Sequence, residues 1–282
     1  MMGPGRFVLS WLLVSAAVVQ ALQTSVERRC TRRQTRALNV DGDGDDDGSS
    51  RPWSSYSIIF EDDELLVTSK SDGLLCAYLA TDAARRPPRV RRSPRTVPGR
   101  GARKQDCLVS RLRETHGAVS NCHRLDRDTS GLLVLAKTAA SHRAISMAFQ
   151  DRQVVKTYVG VVLGTPEADD GFVNAPIAKF DVAPRMRIDA GGRPSQTRWT
   201  VLERRDDGTS LLKLFPITGR AHQLRLHLTH VGLPLVGDRL HGSAASVARA
   251  PRLGLHAASL EFTHPATGEL VSFASPHPFH TR

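Results

Sequence analysis

The sequence predicts an α+β fold in which a central, mostly antiparallel sheet is flanked by a few helices. Three observations carry that expectation. Residues 57–60 and 65–68 form two apolar runs separated by Asp62-Asp63, which reads as a hairpin closed by an acidic turn. Short apolar runs of the same texture, bounded by turn residues, recur to the end of the chain. Helical periodicity shows clearly in two places, 139–152 and 220–231. A chain of 282 residues holds one large domain or two small ones and can bury a sizeable core.

The N-terminal part is not expected to belong to the fold. Arg6 precedes a mainly apolar run, 7–19, that is short for a bilayer span, so 1–21 reads as a signal-like segment. Residues 25–36 are rich in Arg and Thr with Glu27 as the one acid, the composition of an organellar transit peptide. Residues 41–48 alternate Asp with Gly and read as a flexible acidic linker. The alternation is similar to the start of a calcium loop, but no Glu stands where the bidentate ligand is needed. The span 22–55 is thus leader and linker, and the folded domain is expected over 56–280. A signal-like followed by a transit-like segment predicts a plastid address, with the mitochondrion or plain secretion as alternatives.

Within the domain, strands are predicted at 132–136, 154–162, 197–203, 211–216, 255–262 and 270–274. Residues 85–104 carry nine Arg or Lys, four Pro and no acid. Such a segment cannot pack a core and reads as a solvated basic insertion, either passive or an arm that neutralises phosphates. The formal charge of +11 and pI near 10.2 point to a polyanionic partner, nucleic acid or an acidic membrane surface. Cys30, Cys76, Cys107 and Cys122 show neither CxxC pairing nor zinc-ligand spacing, so no metal ribbon or disulfide framework is indicated.

Three strings carry chemistry. His123-Arg124-Leu125-Asp126-Arg127-Asp128-Thr129-Ser130-Gly131 sets an acid between two arginines at the mouth of an apolar strand. A salt bridge or turn closure would explain an ordinary loop aspartate. An ionised carboxylate here could instead attack carbon, take a proton or stabilise a cationic sugar. Asp128 is read as capping the turn or pairing with Arg127. In the second string, Thr218 to His227, a Gly turn opens a helix around which Arg220, His222, Gln223 and Arg225 offer donors suited to an anion. The third is Lys156-Thr157-Tyr158 at the head of an alternating strand. His227 with His230, and His277 with His280, have helical or near-terminal spacing but no third ligand in register, so no metal site is expected.

Together these strings resemble the RluA-type RNA pseudouridine synthases. HRLDRDTSGLLVLAK is similar to that family's central motif and VVKTYVGVVLG to its tyrosine-bearing strand. ITGRAHQLRLHLTHVGLPLVGD is similar to its arginine-bearing helix and following loop, and LGLHAASLEFTHPATGE to its closing strand pair. Residues 59–74 resemble its opening hairpin, with Ser71 after Lys70 where a Pro is usual. The resemblance implies one catalytic domain with the cleft along its sheet, working without metal or organic cofactor. It places Asp126 on the catalytic aspartate, Tyr158 on the tyrosine that packs against the target base, and Arg225 on the basic residue that pairs with the aspartate.

The implied function is isomerisation of specific uridines to pseudouridine in rRNA or tRNA, by a monomer with RNA as its partner and no stable membrane partner. A stacked base cannot rotate about its sugar, so the uridine must be flipped out. Arg124 is expected to help hold the flipped-out conformation or the adjacent phosphate, and Arg220, His222 and Gln223 to contact RNA. Asp126 would add to C1′ or take the C2′ proton; the sequence leaves both open. The alternative function is an inactive RNA-binding or RNA-folding protein on the same scaffold.

Overall fold

A computed structural model describes residues 55–77, 106–183 and 185–279. The predicted leader and acidic linker, the predicted basic insertion 85–104 and His280 lie outside the described residues. No described helix is long and apolar enough to cross a membrane.

The strands are β1 (Tyr56–Glu61), β2 (Leu65–Lys70), β3 (Ser120–Asn121), β4 (Ser130–Ala136), β5 (Val155–Leu163) and β6 (Asp170–Asn174). They continue as β7 (Ile177–Lys179), β8 (Met186–Ile188), β9 (Gln196–Arg204), β10 (Thr209–Pro216), β11 (Leu255–Thr263) and β12 (Leu270–Ala274). The helices are α1 (Leu108–His116), α2 (Ala139–Gln150), α3 (Gln223–His230) and α4 (Ala244–Ala248). A ten-stranded sheet runs β1-β2-β4-β11-β5-β10-β9-β6, with β12 on β11 and β3 on β4, and β7 and β8 form a separate ribbon. This is the α+β fold expected, and every pairing is antiparallel except β4 with β11.

The first hairpin forms where the acidic turn predicts it. Asp62 folds its carboxylate back to accept the Glu64 and Leu65 N–H groups at 2.8 and 2.7 Å, which satisfies the turn backbone locally. β4 is buried along its whole length. Its alternation sends Leu133 and Leu135 to one face and Leu132 and Val134 to the other. α1 covers the first face with Leu108, Val109 and Leu112, and α2 covers the second with Ile145. The longer predicted strands appear with ends shifted by a residue or two. α1, β3, the β6 to β8 region and α4 are additions to the sequence reading.

β4 and β11 touch in parallel over two rungs, Ser130 with His256 and Gly131 with Ala257. Gly131 has φ 107°, and a Cβ there would stand 2.3 Å from the Ala257 carbonyl oxygen, so only glycine permits the approach. Buried His256 bridges the same joint. Its Nδ1 meets Ser130 Oγ at 2.9 Å and its Nε2 donates to the Ser275 carbonyl at 3.3 Å.

Burial pushes His256 down to about 4. Its folded value therefore lies below its unfolded one. The stability this implies is complete above about pH 6.5 and is lost as pH falls toward 4. Between pH 7 and pH 5 the loss from this one residue should be on the order of 1–2 kcal/mol. Denaturant melts across that range should show it as a steeper acid dependence in the wild type than in His256→Gln. Equal slopes would refute it.

Candidate active site

Asp126 lies in the loop between β3 and β4, which is fastened at several points. The Thr129 N–H donates to the Asp126 carbonyl at 3.1 Å and closes the turn. One residue earlier, the Leu125 N–H donates to Cys76 Sγ and the thiol donates to the Leu125 carbonyl, both at 3.3 Å. From β2, the Lys70 ammonium donates to the carbonyls of Arg127 at 2.9 Å and Ser71 at 3.0 Å. Lys70 is 1 % exposed, and burial pushes it down to about 8. His123, at the head of the string, stacks on Phe149 of α2 and accepts the Val134 N–H on Nε2 at 3.0 Å. Burial, with the Lys156 charge, pushes its ring down to about 3, so it is a neutral structural imidazole.

Neither Lys70 nor Cys76 was assigned a task from sequence, yet both position the aspartate. Lys70→Met should leave two loop carbonyls without their donor. Because small displacements of a reacting group are costly, we expect activity to fall about 10- to 100-fold while stability changes by no more than ~1–3 kcal/mol. Parallel activity assays and thermal melts check this; an unchanged turnover would sink it.

Arg225 comes from the first turn of α3. Its Nη1 donates to Asp126 Oδ2 at 3.2 Å, across 99 residues of sequence, while Nε and Nη2 grip Asp238 Oδ2 and Oδ1 at 2.9 and 2.6 Å. Asp238 Oδ1 also accepts the Leu240 and His241 N–H groups, each at 3.0 Å. Burial opposes both charges, but these bonds outweigh it, holding Arg225 above and Asp238 below their ordinary values. Arg225 is therefore a fixed cation, braced from behind and aimed at Asp126.

The other predicted residues divide. Tyr158 lies on β5 between two hydrophobic clusters and lines the same cleft as Asp126. Burial, with the Asp126 carboxylate and Cys76 adding to it, pushes its phenol above the ordinary tyrosine value. The phenol is therefore neutral and presents a flat aromatic face to the cleft. Arg124 is exposed at the cleft and Arg220 lines it. Arg127 pairs with Asp128 at 3.1 Å, as read from sequence.

His222 caps α3 in a left-handed conformation, φ 57° and ψ 16°. Its Nε2 lies 3.9 Å from Asp126 Oδ1 and its Nδ1 2.8 Å from His241 Nε2. Burial lowers His222, and pushes His241 down to about 4.

Gln223 departs from its expected RNA contact. Its Oε1 accepts Thr218 Oγ1 at 2.7 Å and the Arg220 N–H at 3.0 Å, and its Nε2 donates to the Gln196 carbonyl at 2.8 Å and Thr197 Oγ1 at 3.0 Å. All of its donors and acceptors are used inside the protein, so it pins the 218–220 turn and has none left for RNA. His227 is likewise turned inward, onto Thr197 and the Ala175 carbonyl, both at 2.9 Å.

Asp126, Arg225, Tyr158, Arg220 and His222 thus line one cleft of about 370 Å³. It joins a single aspartate, a braced arginine and a flat aromatic wall on an α+β sheet.

Comparison with known proteins gives the family. A sequence profile described as RNA pseudouridylate synthase matches residues 64–230. The chain belongs to the RluA-type RNA pseudouridine synthases. It is 36 % identical over 230 residues to the dual-specificity RNA pseudouridine synthase RluA of Escherichia coli strain K12, covering 81 % of this chain and 95 % of that protein. The protein of the same name from Pasteurella multocida is 37 % identical over 231 residues, covering 81 % of this chain and 96 % of its own. The solved structure of human RNA Pseudouridylate Synthase Domain Containing 1 aligns with a TM-score of 0.63 and 27 % identity, over 80 % of this chain and 85 % of that one.

Proposed function

We propose that this enzyme converts specific uridines of rRNA or tRNA to pseudouridine, with the target base flipped into the cleft and Asp126 acting at its sugar. The observation that carries this reading is the Asp126–Arg225–Asp238 chain facing Tyr158. Breaking the N1–C1′ bond builds positive character on the sugar, and a carboxylate beside C1′ meets it, by addition or by removing the C2′ proton. Arg225 keeps that carboxylate aimed. Tyr158 stacks on the uracil while it rotates and rejoins through C5. The C5 proton leaves and N1 gains one, so the isomerisation is balanced without redox chemistry.

RNA carrying C5-tritiated uridine is the test. Wild-type protein should release tritium to water, and failure to do so on total rRNA and tRNA would overturn the proposal. The composition of 1–50 supports delivery to a plastid. A fluorescent fusion of those residues should enter that organelle, and secretion of the fusion would refute the address.

A further inference from the structure

We infer that Lys156 and Arg220 form a seat for a phosphodiester of the RNA strand, beside the nucleotide held at Asp126. The inference rests on RNA being the substrate and adds how its backbone is held.

Lys156 stands two residues before Tyr158 on β5, so both side chains leave the same face of the strand, and both line the cleft. Its ammonium reaches the 218–220 turn: Nζ lies 3.8 Å from where a Gly219 side chain would begin. Arg220 lies on that turn, with its backbone N–H tied to Gln223 Oε1 at 3.0 Å. Its Nε is buried and has no hydrogen-bond partner. Lys156 is half-buried, its backbone pairs with β11, and no partner for its ammonium is found among the described residues. Burial and the nearby Arg152 charge hold it below the ordinary lysine value.

The charge balance of the cleft explains what these two cations await. Among the described residues, Arg124, Lys156, Arg220 and Arg225 line it against a single carboxylate, Asp126, which Arg225 already engages. Desolvated cations without counter-charges are costly, and they are tolerated where a ligand completes them. An anion with several oxygens at different angles fits a point-charge ammonium beside a planar guanidinium, and a phosphodiester has that form. Placed there, one strand would run from Asp126 and Tyr158 at the base and sugar to Lys156 and Arg220 at the phosphate. Gln223, which does not meet RNA itself, would fix Arg220 for that contact.

The probe is a short RNA stem-loop with one 5-fluorouridine in its loop, made either with natural linkages or with neutral methylphosphonates flanking that nucleotide. Wild-type protein should bind the neutral form about tenfold more weakly. Lys156→Met should lose about the same factor on the probe with natural linkages, raise KM more than it lowers kcat on the same stem-loop carrying C5-tritiated uridine in place of 5-fluorouridine, and flatten the salt dependence by roughly 0.7–0.9 in log–log slope. The variant should discriminate little between natural and neutral linkages, because the two changes remove one contact. Lys156→Arg should recover most of the affinity, and Arg220→Met should behave like Lys156→Met. If Lys156→Met proves unstable in thermal melts, Lys156→Gln and Arg220→Gln answer the same question. A Lys156→Met protein that keeps the salt slope and still discriminates between linkages overturns the seat while wild-type activity leaves the synthase reading standing. A wild type without adduct or tritium release fails the other way. Free uridine monophosphate, which carries phosphate without a strand, should compete only weakly; competition equal to that of the stem-loop would make the seat a mononucleotide site and overturn the inference.

Discussion

Asp126→Asn should lower pseudouridine formation at least ~10³-fold and leave the protein folded. The amide keeps the shape of the carboxylate and one oxygen for Arg225 Nη1, 3.2 Å away in the wild type. It cannot add to C1′ as a nucleophile, take the C2′ proton or offset positive charge on the sugar. The scaffold does not depend on the substitution, because Arg225 retains both of its bonds to Asp238. Tritium release measures the first half of the expectation and thermal melting the second. An Asn variant within tenfold of wild type, with a normal melt, would remove Asp126 from the chemistry.

Asp238→Ala should fail in a different way. The Asp238 side chain is wholly buried and accepts four hydrogen bonds, two from Arg225 and two from the backbone of the loop that follows. Removing it strands a buried guanidinium, which costs about 3–5 kcal/mol and should lower the melting temperature by on the order of 10 °C. Below that transition activity should still be poor, since Arg225 loses the brace that aims it at Asp126. The two variants therefore separate chemistry from support: one inactive and stable, the other unstable and impaired. If Asp238→Ala melts with the wild type, the buried pair is not what holds the helix to its loop.

The contrast also shows how far the sequence could be read. Asp126 was legible because an ionisable group at the mouth of an apolar strand is locally anomalous, and Arg225 and Tyr158 followed through the family resemblance. Asp238 sits in the quoted string HVGLPLVGD, yet nothing local marks it. Its partner is thirteen residues away on a helix, and an aspartate after a glycine reads as an ordinary turn. Arg225 stands between Leu224 and Leu226, and an arginine in so apolar a stretch needs an acid to brace it as well as one to act on, which was the signal that could have found Asp238.

Gln223 was misplaced for a related reason. Helical spacing says which residues share a side, but α3 is buried nearly all round, so polar side chains there turn inward to satisfy backbone groups of the 175–197 region. Lys70 was missed because a lysine at a strand end is normally solvated. The short α1 went unread because three apolar positions in nine residues make a weak period, resolved only by packing on β4.

The two-rung contact of Gly131 and Ala257 has a consequence for how the protein comes into being. β11 is central in the sheet but is made well over a hundred residues after β4, the neighbour it meets through Ser130 and His256 at a separation of 126. Until it is inserted, the facing edges of β4 and β5 lack their partner, and Asp126 stands on one half of the fold with Arg225 on the other. Closure across so long a span is slow, and open strand edges in the interval invite pairing with other chains. A growing chain thus carries Asp126 long before it can carry the complete cleft, whose lining includes Leu255 of β11.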